Sequence, residues 1–381
     1  MLAFKQSVSQ LARTDINTDP RNSLQPAEAA RYMTVPVRAA IVVLAPSPNS
    51  SMPYWGHADI WLKRRYVLLN ALQSIDNSIN SKFNYSYPII VFHEDWEQEH
   101  MTWLRREIKT FITFAKINLH KAPCYASADQ IDSWILGEDG GVAGGRNMGY
   151  RMMCRAWSGI IQRHPVLAGF DMYMRLDDDS AIWQVPDWDI FAHVRSRGLL
   201  YAYYSSASDV WGIDQMFKLH SEFIDDPHKA FQAIRDKKCS DETLPDVSHA
   251  QLLADFEGFG LTTKASLQRL QKILYLSKGK YNGKQPYNNF HVSELSLWRT
   301  DLLKAWFSYL DLNLGFLKFQ FGDANTHALI IGSLLRSDQV GTVRDRGFIY
   351  QHNTNVAPRK DWVNATIVAL SEAKGDPKRS A

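Results

Sequence analysis

Cysteine is scarce: Cys124, Cys154 and Cys239 are the three in a chain of 381 residues. Three so scattered are too few for a zinc site or a disulfide framework, and an odd count leaves at least one thiol free. Long apolar runs are missing as well. The first thirty residues hold neither a signal-peptide core nor a membrane anchor, so the chain reads as soluble and cytoplasmic. Sequons at Asn49, Asn84 and Asn364 would matter only in a secretory compartment. Charge of one sign is also lacking. With 43 basic against 40 acidic residues the net charge is +3, which implies no polyanion partner and no nucleic acid. There is no internal repeat and no low-complexity block. What is plentiful is aromatic: 12 Trp and 16 Tyr exceed what a core requires, and such rings line many sugar sites.

In chain order, residues 1–35 are polar and read as a surface arm. Ala39 to Ala45 is a short apolar run closed by Pro46 and Pro48, the pattern of a buried parallel strand opening into a loop. Apolar spacing predicts a helix over Trp61 to Ile79, a second buried strand at Pro88 to Phe92 and another helix over Leu104 to Ile117. A loop carrying Gly140, Gly141, Gly144 and Gly145 precedes a predicted helix from Asn147 to Gln162. Leu199 to Tyr204 reads as a strand, and Trp211 to Leu219 as the start of a helix. Residues 220–286 carry no assignable chemistry. The segment from Tyr287 reads as a strand with Phe290, Val292, Leu295 and Leu297 inside, after which Asp301 caps a helix over Leu302 to Leu310. Gly322 to Leu335 is a further helix, and the ordered part closes near residues 347–353. Alternating helices and strands of this kind predict a doubly wound α/β domain.

The stretch Phe170 to Trp183, FDMYMRLDDDSAIW, carries the most chemistry. Met172, Met174 and Leu176 alternate with Tyr173 and Arg175 as in a strand buried on at least one face, and the strand runs out into three carboxylates. Period-two alternation places Asp177 and Asp179 on one side, where two oxygen donors suit Mg²⁺ or Mn²⁺. A solvated acidic turn is the other reading of such a triplet.

Seven segments together resemble one family in order and spacing: SKFNYSYPIIVFHEDW, YRMMCRAWSGIIQRHP, FDMYMRLDDDS, NNFHVSELSLWR, YLDLNLGF, FGDANTH and GFIYQHN. The chain resembles the fungal α-1,2-mannosyltransferases. The resemblance implies a GT-A-like α/β fold, a single large domain with a mixed, mostly parallel sheet flanked by helices. It implies a catalytic domain over 36–358, with a nucleotide-sugar half at 36–200 and an acceptor half at 201–358, and a polar tail at 359–381. It further implies mannose transfer from GDP-mannose to a glycan acceptor, with retention and with Mn²⁺ or Mg²⁺.

Carried over by position, the family's metal ligands fall on Asp177, with Asp179 beside it, and on His352. Tyr150 and Arg151 fall on donor-facing positions of a helix, where an arginine could neutralise the diphosphate, and Arg155, one turn on, could do the same or pair with a carboxylate. Asp323 falls on the acidic residue near the acceptor, with His327 one helical turn later as a second candidate ligand or a packing residue. The family's active-site Glu falls on His291, so either Glu294 supplies a carboxylate after a local slip or the site works without one. The latter favours a front-face mechanism over covalent double displacement. Two rival readings are a non-catalytic sugar-nucleotide binder on the same fold and an unrelated metal phosphohydrolase built on the three aspartates.

Overall fold

The computed structural model describes residues 36–352 except 55–56, 84–86, 120–122, 142–145, 238–243, 273–275, 278 and 345–346. The expected arm at 1–35, the tail at 359–381, part of the glycine loop and Cys239 lie outside the described residues. Cys124 is disulfide-bonded, which three scattered cysteines do not signal, while Cys154 is free and buried.

A seven-stranded sheet organises the molecule. Numbered in chain order, its strands are β1 (Ala39–Leu44), β2 (Ile89–His93), β3 (Ile112–Lys116), β4 (Met172–Leu176), β5 (Tyr201–Tyr203), β6 (Phe290–Glu294) and β7 (Val340–Thr342). They lie in the order β7-β5-β6-β4-β1-β2-β3. Only β6 runs against its neighbours β4 and β5; the other pairings are parallel. The sheet takes strands from both the 36–200 and the 201–358 segments.

Continuous apolar runs make this sheet possible, because both faces are covered. Along β1, Ala40 and Val42 join one core cluster while Ala39, Ile41 and Val43 join the other; along β2, Ile90 and Phe92 part in the same way from Ile89 and Val91. The apolar run of β1 is therefore the middle of a three-layer sandwich. All five residues of β4 are buried, Arg175 included.

Four helices position the cleft: α1 (Arg64–Ile75), α2 (Met148–Arg155), α3 (Asp301–Leu312) and α4 (Asp323–Leu334). Among the described residues no helix is long and apolar enough to cross a membrane.

Three local expectations need correction. The helix predicted over Leu104 to Ile117 ends at Glu107, where Ile108 turns extended, and the remainder becomes β3. The cause is tertiary: Asp76, at the end of α1, accepts the Lys109 and Thr110 N–H groups at 2.7 and 3.1 Å and turns the chain into the sheet. The strand predicted through Leu297 stops at Glu294, and Leu295–Trp298 is a helical turn. The N-cap of α3 is Thr300, whose side chain accepts the Leu303 N–H; Asp301 sits in the first turn and accepts the Ser248 N–H at 2.7 Å.

Candidate active site

Parallel strands leave their carboxyl ends open to a crevice. Here Leu44 to Ser47 after β1, Glu94 and Asp95 after β2, and Asp177 to Asp179 after β4 line one cleft of about 780 Å³. That volume accommodates a nucleotide-sized ligand.

The acidic triplet is a turn rather than a strand end. Ser180 donates its N–H to Asp177 O at 3.1 Å, and this turn, not period-two alternation, brings Asp177 and Asp179 together. The chain then runs through Ala181–Gln184, which pairs antiparallel with Ile349–Gln351. That ribbon delivers His352 to the turn across about 170 residues of sequence. Its Nδ1 lies 3.1 Å from Ser180 Oγ and 3.3 Å from Asp179 Oδ1. One ligand atom from each of Asp177, Asp179 and His352 falls within 4.8 Å of the others. Two carboxylates and one imidazole fit a Mn²⁺-type ion with positions left for phosphate oxygens. Burial pushes the Asp177 carboxyl up, against the opposing pull of Arg175 and His352.

Asp178 points elsewhere. Its carboxylate meets Arg64 at 2.6 Å, at the first residue of α1, and burial together with its acidic neighbours lifts it to about 7.

Arg175 is the residue that sequence reasoning passed over. Only 3% exposed, it donates from Nε to Asp177 Oδ1 at 2.8 Å and from Nη1 to Asp323 Oδ2. Its guanidinium lies 4.2 Å from the centre of the Trp157 ring. A charged residue inside an otherwise apolar strand was the available signal. Asp323 opens α4 and also accepts from Asn288 Nδ2 at 2.9 Å. Burial alone would raise its carboxyl, but Arg175 outweighs burial and holds it at about 2.

The α2 helix puts one face into the cleft. Asn147 caps it by accepting the Tyr150 N–H at 3.0 Å, and Tyr150, Met153 and Trp157, at helical spacing, line the cavity. Arg151 and Arg155 turn inward, which corrects the expected place of Arg151 beside a diphosphate, while Arg155 takes the other role expected of it and pairs with a carboxylate. Arg151 is buried and donates to the carbonyls of Arg146, at 3.0 Å, and of Leu317. Arg155 is buried against Asp311 at 2.9 Å. A buried pair broken from one side typically costs about 3–5 kcal/mol. Arg155→Met should therefore lower stability by that order in urea denaturation, and Arg155→Met with Asp311→Leu by less than the two changes summed.

The β6 candidates are not in the cleft either. His291 is fully buried, with Nε2 2.7 Å from Tyr173 Oη and Nδ1 3.0 Å from Asn288 O. It steadies the loop that carries Asn288. Glu294 pairs with Met172 at the far end of the antiparallel register, four residues from the cleft end, where it meets Arg195 at 3.3 Å. A slip that brought Glu294 to the cleft is excluded by that register. His327 is buried between Trp157 O at 2.9 Å and Tyr201 Oη at 3.3 Å, a packing residue and not a ligand.

These interior histidines make stability sensitive to acid. Burial pushes His220 to about 3 and His327 to about 4, and His291 well below its usual range. The unfolded chain takes up a proton at each below about pH 6.5, whereas the folded chain refuses it until far lower pH. Stability should therefore fall from pH 6.5 toward 4, by about 1.4 kcal/mol per pH unit per histidine. Urea midpoints at pH 7 and pH 5 measure this, and equal midpoints would contradict neutral buried rings.

The family model described as Glycolipid 2-alpha-mannosyltransferase matches residues 62–376. The chain belongs to this family. Among its relatives, the alpha-1,2 mannosyltransferase KTR1 of Saccharomyces cerevisiae is 23% identical over 291 residues, 75% of this chain and 65% of its own. Glycolipid 2-alpha-mannosyltransferase 2 of Candida albicans is 23% identical over 319 residues, 78% of this chain and 61% of its own. The chain thus spans under two thirds of the length of these relatives. Among solved structures, core-mannan synthase A of Aspergillus fumigatus in its Mn/GDP form matches with a TM-score of 0.58 at 20% identity, covering 83% of this chain and 74% of its own. The S. cerevisiae mannosyltransferase Ktr4p in complex with GDP matches with a TM-score of 0.59 at 15% identity, covering 83% of this chain and 71% of its own. The fold is therefore GT-A-like, a mixed and mostly parallel sheet between helices.

Proposed function

We propose that this chain is a metal-dependent, retaining glycosyltransferase that moves mannose from GDP-mannose to a hydroxyl of a glycan acceptor. The observation that carries the reading is the convergence of Asp177, Asp179 and His352 in the same cleft as the Arg175–Asp323 pair, in a member of this family. The reading takes its sugar from the mannosyltransferase relatives, and its GDP and Mn from the solved structures, core-mannan synthase A in its Mn/GDP form and Ktr4p in complex with GDP. The loops after β1 and β2 belong to the nucleotide, and α4 with Asn288 to the acceptor.

Asp177, Asp179 and His352 would hold the cation, which when bound supplies charge neutralisation for the departing diphosphate. Asp323 accepts a hydrogen bond from the acceptor hydroxyl and orients it. Held at about 2, it is a poor proton acceptor, so the hydroxyl proton passes to the leaving phosphate oxygen. With His291 buried and Glu294 at the far end of β6, this strand brings no carboxylate to the sugar, and front-face transfer is the mechanism the geometry supports. Trp157 and Tyr150 line the cleft beside these groups.

The test is a panel of nucleotide sugars offered to the purified protein with Mn²⁺ and with chelator. GDP-mannose turnover that chelator abolishes is the expected result. Saturable GDP binding with no turnover of any donor would instead make the chain a sugar-nucleotide binder.

A further inference from the structure

Behind the cleft, a row of buried hydrogen bonds ends on Asp323. Gln162 donates from Nε2 to Trp157 O at 2.6 Å and to Tyr173 Oη at 3.1 Å. Tyr173 Oη lies 2.7 Å from His291 Nε2, and His291 Nδ1 lies 3.0 Å from Asn288 O. Asn288 lines the cleft, and its Nδ2 donates to Asp323 Oδ2 at 2.9 Å.

Chemistry assigns each proton in this row. A carbonyl can only accept, so His291 must carry a proton on Nδ1 to bond Asn288 O. The ring is fully buried, and burial together with nearby His327 and Arg175 pushes it well below its usual range, so it is neutral and its Nε2 is bare. Tyr173 therefore donates to Nε2, and its own oxygen accepts from Gln162, whose amide nitrogen the Trp157 carbonyl holds in place. At the other end a carboxylate faces Asn288, which fixes that amide with its N–H₂ toward Asp323.

The ring has little room to leave this arrangement. Tyr201 stacks on it with ring centres 5.0 Å apart, and Tyr173 meets it edge-on at 5.2 Å. The loop it acts on is tied on both sides by backbone bonds, Tyr287 N–H to Ser205 O at 2.7 Å and Asp177 N–H to Asn289 O at 3.1 Å. Between these ties His291 holds the Asn288 carbonyl, so the ring sets the tilt of one peptide and not the course of the loop. Asp323 Oδ2 accepts from Arg175 as well, and two donors on different segments set the rotation of the carboxylate.

We propose that His291 is a positioning residue for transfer: its Nδ1–H holds the Asn288 peptide, the Asn288 amide holds Asp323, and the carboxylate is thereby kept turned to the acceptor hydroxyl. The role in transfer rests on the transferase reading, whereas the order of the hydrogen bonds does not.

NMR of wild-type protein carrying isotope-labelled histidine reads the order directly. Near neutral pH, His291 should be neutral with its proton on Nδ1; a proton on Nε2, or on both nitrogens, overturns it. Substitutions then read the consequence. His291→Asn puts an amide N–H close to the place of Nδ1, and His291→Leu offers no donor. His291→Gln keeps a partner for Tyr173 without a donor at Nδ1, and takes the place of leucine should leucine unfold the protein. Folded His291→Leu should lose about tenfold in kcat at saturating acceptor, the scale of one lost hydrogen bond to a charged group, with GDP affinity moving less than about twofold. His291→Asn should recover most of that loss. In protein carrying labelled asparagine, the Asn288 side-chain amide should lose its protection from exchange in His291→Leu and keep it in His291→Asn. A wild-type kcat in folded His291→Leu, or equal losses in the leucine and asparagine variants, overturns the positioning role and leaves a ring that only packs. The two readings fail separately. A wild type that turns over no donor retires the transferase, and protection of the Asn288 amide still decides whether His291 holds it; transfer indifferent to His291 keeps the transferase and retires the positioning role.

Discussion

Asp177→Ala is expected to reduce transfer by about a hundred- to a thousandfold while the protein stays folded, the scale on which loss of a preorganised electrostatic group at a reacting centre is felt. Asp177 is the one carboxylate that touches both halves of the site: it belongs to the candidate cation cluster and it accepts from Arg175. Removing it leaves Arg175 its bond to Asp323, so the interior keeps a paired cation and unfolding is not the reason for the loss. Isothermal titration with Mn²⁺ separates the possibilities. Wild type should bind one ion in the cleft and Asp177→Ala none. Asp178→Asn should still bind it, because Asp178 is directed to Arg64 and stands outside the cluster. For Asp178→Asn the loss should appear in stability, through the widowed Arg64. Equal loss of Mn²⁺ binding at Asp177, Asp178 and Asp179 would show that the turn does not sort the three carboxylates as drawn.

That sorting shows how far the sequence could be read. Alternation in Met172 to Leu176 is a short-range signal, and it located β4 correctly; the same rule reached Asp177 and Asp179 as partners although a turn, not a strand, joins them. Family resemblance brought His352 to the site, where periodicity alone could not, because its place depends on the ribbon between Ala181–Gln184 and Ile349–Gln351. Resemblance carried Arg151 too far and left Arg155 between a diphosphate and a carboxylate partner, of which the structure shows the carboxylate. A helix position one residue beyond Tyr150 is rotated by about 100°, and whether that face meets solvent, ligand or core is decided by Leu317 and Asp311, more than 150 residues away. Arg175 and Asn288 escaped notice for a related reason: each is informative only through a partner that is distant in sequence. The helix expected through Ile117 failed in the same way, since Asp76 ends it from another element.

Arg175 should be the least replaceable residue of the site. Near the cleft end of β4 it is enclosed by the sheet and the Trp157 ring, and it is the cation shared by Asp177 and Asp323. Arg175→Met fills a similar volume but leaves Asp323 buried without its countercharge, a situation that usually costs about 3–5 kcal/mol. Asp323→Asn alone leaves Arg175 its bond to Asp177, so its cost should be smaller. Combining the two substitutions removes the unpaired charge that makes the first one costly, and the double variant should therefore be more stable than Arg175→Met by itself. Urea denaturation of the four proteins measures this coupling. Transfer should stay about a hundred- to a thousandfold down in the double variant even as stability returns, because the hydroxyl-orienting carboxylate and its positioning cation are both gone. Recovery of activity together with stability would mean that the pair serves only to hold β4 against α4, and that the acceptor is oriented elsewhere in the cleft.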